Sequence, residues 1–177
     1  LLRQIFEEVD WLKAIDLSID DFYLTRKERE ALATNTHPLL LSRGVPGTHD
    51  VALAVNTIKQ LLSSESDTTF IPRFEKSIDD RKPKDEWEQT ETPVDVVILE
   101  GWCVCIPPQE KNELLTPVNE LESNEDPDQK WRNFVNNSLE KDYSELFDLI
   151  DYSIFLESPS FKTVNEWRSL QEEKLKQ

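Results

Sequence analysis

Along residues 14–25 (AIDLSIDDFYLT), Ile15, Leu17 and Ile19 alternate with Asp16 and Ser18, the two-residue period of a half-buried strand. The run closes on an acidic pair, Asp20 and Asp21, followed by Phe22 and Tyr23. A second run, 94–102 (VDVVILEGW), is continuously apolar and closes on Glu100 and Gly101. Ligands of open α/β sheets bind outside the carboxyl ends of the strands, where a carboxylate is well placed for chemistry. A polar pair at a strand end is also an ordinary turn signal, and for one run alone that is the commoner meaning. Two strands ending in acids shift the balance towards a site.

Between and around these strands the period changes to that of helices. Residues 1–12 place Leu2, Ile5, Phe6, Val9 and Leu12 on one face. Residues 25–33 open with a capping box, Thr25 and Glu28. Asp50 is a strong N-cap for 51–62, whose stripe is Val51, Val55, Ile58 and Leu62. The loop 42–50 (SRGVPGTHD) holds two of the three glycines in the chain. Such a stretch is either an ordinary connection or a loop that must approach a ligand closely. The density of Arg43, His49 and Asp50 favours the second.

A short β-branched run at 68–71 leads into Pro72, Arg73, Phe74, Glu75 and Lys76. Residues 77–93 and 106–129 are polar and lack periodicity, which predicts irregular excursions, the first anchored by Trp87. Residues 131–143 read as a helix facing inward with Trp131, Val135, Leu139 and Tyr143; 147–156 (with IDYSIFL) read as another strand. A last helix carries Trp167, Arg168 and Gln171. Strands separated by helices predict one α/β domain over 1–177 with a parallel sheet of βαβ units.

Composition refines the picture. Hydrophobic residues make up 37% of the chain and charged residues 32%, as in a globular protein with a highly charged surface. The net charge of −16 argues against a nucleic-acid partner, which needs a basic face, while a local Arg/Lys cluster still allows a small anion. No apolar run approaches the length that spans a bilayer, so no membrane partner is expected. A cytoplasmic location is the expectation, or an organelle if a leader precedes residue 1. Cys103 and Cys105 are too close for a good mutual disulfide and are expected as buried free thiols. His37 and His49 stand alone, so neither marks a metal site.

The motifs SIDDFYLT, RGVPGTHD, PRFEKSIDDR, VDVVILEGW, PVNELE and SPSFKTVNEWRSLQEEKL resemble, in that order, those of the D-glycerate 3-kinases. That family belongs to the P-loop kinase group, with uridine kinase, pantothenate kinase and phosphoribulokinase. The resemblance implies a P-loop kinase-like parallel sheet flanked by helices. It also implies transfer of the ATP γ-phosphoryl group to a hydroxyl of D-glycerate, with ATP and Mg²⁺ as cofactors. Asp20 matches the position that accepts the hydroxyl proton, a role in which orientation matters more than basicity. Glu100 matches the acid that helps hold Mg²⁺ through water. Tyr23, Arg43, His49, Arg73 and Lys76 match the substrate-binding positions, and an arginine fork suits the substrate carboxylate. Arg168 matches the start of the lid helix, whose arginine reaches the transferring group; a surface pair with Glu172 is the alternative.

The chain also departs from that pattern. It holds no GxxxxGK[ST] run, its glycines being Gly44, Gly47 and Gly101, so no cofactor-binding residue is assigned for the triphosphate. Glu75 stands where the family usually carries Asp. The chain starts at Leu1 and contains no Met. We therefore expect a truncated domain that lacks its first, central strand and the C-terminal lid region and is inactive alone. Rival expectations are a kinase of another hydroxyl acceptor (pantothenate, a nucleoside or a sugar acid) and a non-catalytic binding remnant.

Overall fold

The computed structural model describes residues 1–9 and 11–175. Its centre is a parallel pair, β1 (Ala14–Ser18) and β6 (Val96–Glu100), in register from Ala14 against Val96 to Ser18 against Glu100. The alternation seen in the sequence sends Ile15 and Leu17 into the core. Helix α3 (Val51–Leu62) covers the pair, burying Val51, Ala54, Val55, Ile58 and Leu61. Its first turn is closed by Asp50, whose carboxylate accepts the Leu53 N–H at 3.0 Å. Helix α5 (Lys130–Phe147) packs on α3 through Leu139, Tyr143 and Leu146. Helix α2 (Arg26–Asn35) begins with the expected capping box.

Several expectations are corrected. Residues 77–93 are not an irregular excursion. Strand β5 (Glu88–Glu91) pairs antiparallel with β2 (Thr68–Ile71), and β3 (Phe74–Glu75) pairs with β4 (Asp80–Arg81). Antiparallel ribbons tolerate solvent on their faces, so β5 (EQTE) forms without the apolar pattern that flags a strand. Trp87 does anchor the segment, its indole N–H donating to the Lys82 carbonyl at 2.9 Å. Residues 106–129 contain a 3-10 turn (Glu113–Leu115) and α4 (Glu120–Glu125), and are tied down by a buried pair, Asp126 with Arg132 at 3.0 Å.

The strand expected at 147–156 does not form; α5 runs on to Phe147, and 151–160 carry no regular structure. A strand needs a ladder, and among the described residues the parallel sheet consists of β1 and β6 alone. Tyr152 and Phe155 are consequently 93% and 87% exposed. Helix α1 (Leu2–Glu8) stops before Leu12, with Leu2 and Ile5 left partly uncovered. Of the two thiols, Cys103 is buried but Cys105 is exposed. Helix α6 (Phe161–Leu175) closes the described chain. Among the described residues no helix is long and apolar enough to cross a membrane.

Candidate active site

The site grows from the end of β1. Ser18 caps a 3-10 turn (Ile19–Phe22), its hydroxyl accepting the Asp20 N–H at 3.4 Å. Ile19 and Phe22 are fully buried, which leaves the two acids between them half-buried. Gly101, just beyond β6, is required here, because a Cβ would collide with the Ile19 side chain. One Asp20 oxygen accepts the Tyr23 hydroxyl at 2.9 Å and the other meets the Lys76 ammonium at 2.7 Å. Partial burial alone would push the Asp20 carboxyl up; the hydrogen bonds from Lys76 and Tyr23 and the lysine charge outweigh it and hold it below the usual range. Burial, then the bond to Asp20, pushes the Tyr23 phenol up, so it stays protonated and donates.

The 42–50 loop is sewn to this turn. Thr48 O accepts the Leu24 N–H at 2.9 Å, and the Asp50 N–H donates to Phe22 O at 2.7 Å. Gly47 has φ of +93°, and a Cβ there would strike Phe134 and Ser138, so the tight pass over α5 needs glycine. The Gly47 N–H donates to the Tyr143 hydroxyl at 3.1 Å, and that oxygen lies 2.5 Å from His49 Nδ1. The His49 ring stacks on Tyr23 with centroids 4.4 Å apart. Burial pushes its pKa down to about 4, so it is neutral at physiological pH.

Beside Asp20 opens a cleft of about 500 Å³. Four cations, Arg26, Arg29, Arg43 and Lys76, and two carboxylates, Asp20 and Asp79, line it with Tyr23, Leu41 and Ser42. In a chain of net charge −16 this is a local positive field suited to a small anion. Asp20, Tyr23, Arg43 and Lys76, separate in sequence, are thus brought together.

No family model matches the chain. Among curated proteins it is 32% identical over 175 residues to the uncharacterized kinase mug58 of Schizosaccharomyces pombe, covering 92% of this chain and 60% of that protein. It is 29% identical over 164 residues to the chloroplastic D-glycerate 3-kinase of Arabidopsis thaliana, covering 88% of this chain and 34% of the relative. Among solved structures, D-glycerate 3-kinase from Cryptococcus neoformans superposes with a TM-score of 0.83 at 28% identity, covering 99% of this chain and 64% of that one. The chain is thus similar to D-glycerate 3-kinases over nearly its whole length. It spans 60% of the length of the fission-yeast relative and about a third of the plant one (34%).

Similarity to D-glycerate 3-kinases raises the question of Mg²⁺. Among the described residues no group of three or more His, Cys, Asp or Glu side chains could hold a metal by itself. Mg²⁺ in kinases is held by one or two carboxylates together with phosphate oxygens and waters, and a single acid suffices for such a site. Glu100 fits that description: it is exposed at the carboxyl end of β6, opposite Ser18 and therefore at the same end of the sheet as Asp20. It does not line the cleft.

Two further expected substrate contacts lie outside the cleft lining. Arg73 is engaged on both arms, by Asp21 at 2.9 Å and Glu88 at 2.7 Å, and ties the turn after β1 to the ribbons. His49 stands behind Tyr23. Arg168 lies on α6, and its side chain falls outside the described residues. Sequence reasoning missed Arg26, Arg29 and Asp79. One signal was present: a cation in the first turn of a helix, as Arg26 is in α2, works against the helix dipole and needs another reason to be there.

Proposed function

We propose that the whole protein transfers the γ-phosphoryl group of ATP to D-glycerate, giving 3-phosphoglycerate, and that residues 1–177 supply the acceptor side of the active centre. The observation that carries this reading is Asp20, an ionised carboxylate at a strand end, facing a cleft rich in cations. The acceptor carboxylate takes Arg43, with Arg26 and Lys76 nearby, while Asp20 orients the hydroxyl and accepts its proton. Arg73, already neutralised by Asp21 and Glu88, shapes the turn and leaves anion binding to Arg43. Glu100 would hold Mg²⁺, which supplies charge neutralisation to the phosphates when bound.

The 177 residues hold no GxxxxGK[ST] run, so we propose that they bind no ATP by themselves and that turnover belongs to the longer protein. A cleft of about 500 Å³ leaves room for acids larger than glycerate, so pantothenate and sugar acids form a second reading. A neutral nucleoside fits four cations poorly. Acceptor-dependent ADP release by the whole protein, run with glycerate and with these acids, decides among them. Asp20→Asn should lower turnover roughly 10²- to 10⁴-fold. Near-normal turnover in that variant would show that the base is elsewhere.

A further inference from the structure

Asp79 is an acid in the wall of a cleft lined by four cations, where its charge would work against a bound anion. The residue sits in the turn between β3 and β4 with φ of +57°, a left-handed conformation that Asp and Asn tolerate. Arg29 grips it twice: Nη2 donates to the Asp79 carbonyl at 2.7 Å and lies 3.1 Å from its Oδ2. Arg29 is itself 1% exposed and fixed by bonds to the carbonyls of Leu41 at 2.7 Å and Leu24 at 3.2 Å. The second Asp79 oxygen, Oδ1, accepts from Arg43 Nη1. On its other side the Arg43 guanidinium lies over the Phe74 ring, 5.4 Å from the centroid. One N–H of Arg43 is thus spent on Asp79, and the fork keeps further donors for the cleft that it lines.

Resting on the acceptor reading above, we propose that Asp79 is a positioning residue: held by the buried Arg29, it fixes the Arg43 guanidinium against Phe74 and presents it to the acceptor's anionic group. The competing account is that Asp79 only neutralises Arg29. That account predicts a less stable fold with unchanged acceptor binding.

The test uses the whole protein, with KM for D-glycerate and for ATP measured separately. Asp79→Asn keeps the shape and the left-handed backbone and removes the charge. It should raise the glycerate KM roughly tenfold, with a far smaller change in kcat and none in the ATP KM. Arg43→Ala should raise the glycerate KM at least as much, and the double variant should be no worse than Arg43→Ala alone, since both act through one contact. Asp79→Glu should recover part of the loss. An unchanged glycerate KM in Asp79→Asn, or factors that multiply in the double variant, overturns the proposal. If the wild-type protein shows no glycerate-dependent turnover, the acceptor reading fails, and the clamp is then read by NMR. The Arg43 guanidinium N–H signals should exchange slowly in wild type and quickly in Asp79→Asn; equal rates overturn the clamp independently of the substrate.

Discussion

His49 gives a prediction that turns on one buried ring. It is 5% exposed, stacked on Tyr23, and joined at Nδ1 to the Tyr143 hydroxyl, while Nε2 has no partner among the described residues. Burial is the main cause that pushes its pKa down to about 4; the Asp20 charge opposes this only in part. In the unfolded chain the same group titrates near 6.5. The folded state therefore stays neutral while the unfolded state takes up a proton, and stability, complete above about pH 6.5, is lost as pH falls towards about 4. At about 1.4 kcal/mol per pH unit, the loss between pH 6.5 and 5 is about 2 kcal/mol.

The displaced carboxyls stay out of that window. The carboxyls of Asp20, Glu75, Asp79 and Glu88 are all held below their ordinary values, so the stability they contribute is lost only at more acid pH, roughly below 4.5. The perturbation is His49→Phe, which keeps an aromatic ring against Tyr23 and removes the titration. Denaturant unfolding from about pH 7 to about pH 5 should show a falling midpoint in the wild type. The variant should begin lower, by roughly 1–3 kcal/mol for the Tyr143 hydroxyl proton left without its acceptor, and then fall less across the window than the wild type. Parallel slopes in the two proteins would refute the assignment of the acid sensitivity to this ring.

Other expectations follow from single positions. Gly47→Ala forces a Cβ into Phe134 and Ser138 at a positive φ, and should cost roughly 1–3 kcal/mol in thermal or denaturant unfolding; no loss would mean that the loop can lift off α5. Asp126→Asn leaves the buried Arg132 short of a charged partner and should destabilise by about 3 kcal/mol, seen as earlier proteolysis within 106–129; an unchanged digestion pattern would count against the pair as the tie. The uncovered Tyr152, Ile154, Phe155 and Leu156 should make residues 1–177 bind a hydrophobic dye, less so after Phe155→Ser, and unchanged binding in that variant would place the dye elsewhere.

What was legible in the sequence was what local chemistry decides. The Thr25–Glu28 box and the Asp50 cap depend on neighbours within four residues and the alternation of Ile15 and Leu17 on the strand's own period; each is found where its residues stand, while Ile19 opens the 3-10 turn. What was not legible depends on distant partners. Strand β5 is polar because it pairs at an edge, and IDYSIFL has the composition of a strand but, among the described residues, no neighbour to pair with. The same division holds at the site. Asp20 announces itself at a strand end, whereas Asp79 matters only because Arg29 and Arg43, 50 and 36 residues away, meet it. Arg73 shows the converse: its residue type suggests a carboxylate fork, and the fold supplies those carboxylates itself, from Asp21 and Glu88.

The charge around Asp20 bears on the chemistry proposed for it. A carboxylate held low by Lys76 and Tyr23 is a weak base, and a reaction that needed a strong pull on the proton would be poorly served. Phosphoryl transfer through a loose transition state needs the attacking oxygen placed more than it needs it deprotonated early. The two partners differ in how freely they can yield. Tyr23 is pinned by its stacked histidine, and its hydroxyl keeps one Asp20 oxygen fixed. Lys76 is 60% exposed at its side chain and can swing aside, freeing the other oxygen for an incoming hydroxyl while its ammonium stays within reach of the developing negative charge. On this reading Lys76→Gln should raise the Asp20 pKa yet lower the rate, because the lost positive charge matters more to the transition state than the gained basicity. A faster variant would mean that proton abstraction, and not placement, limits the reaction.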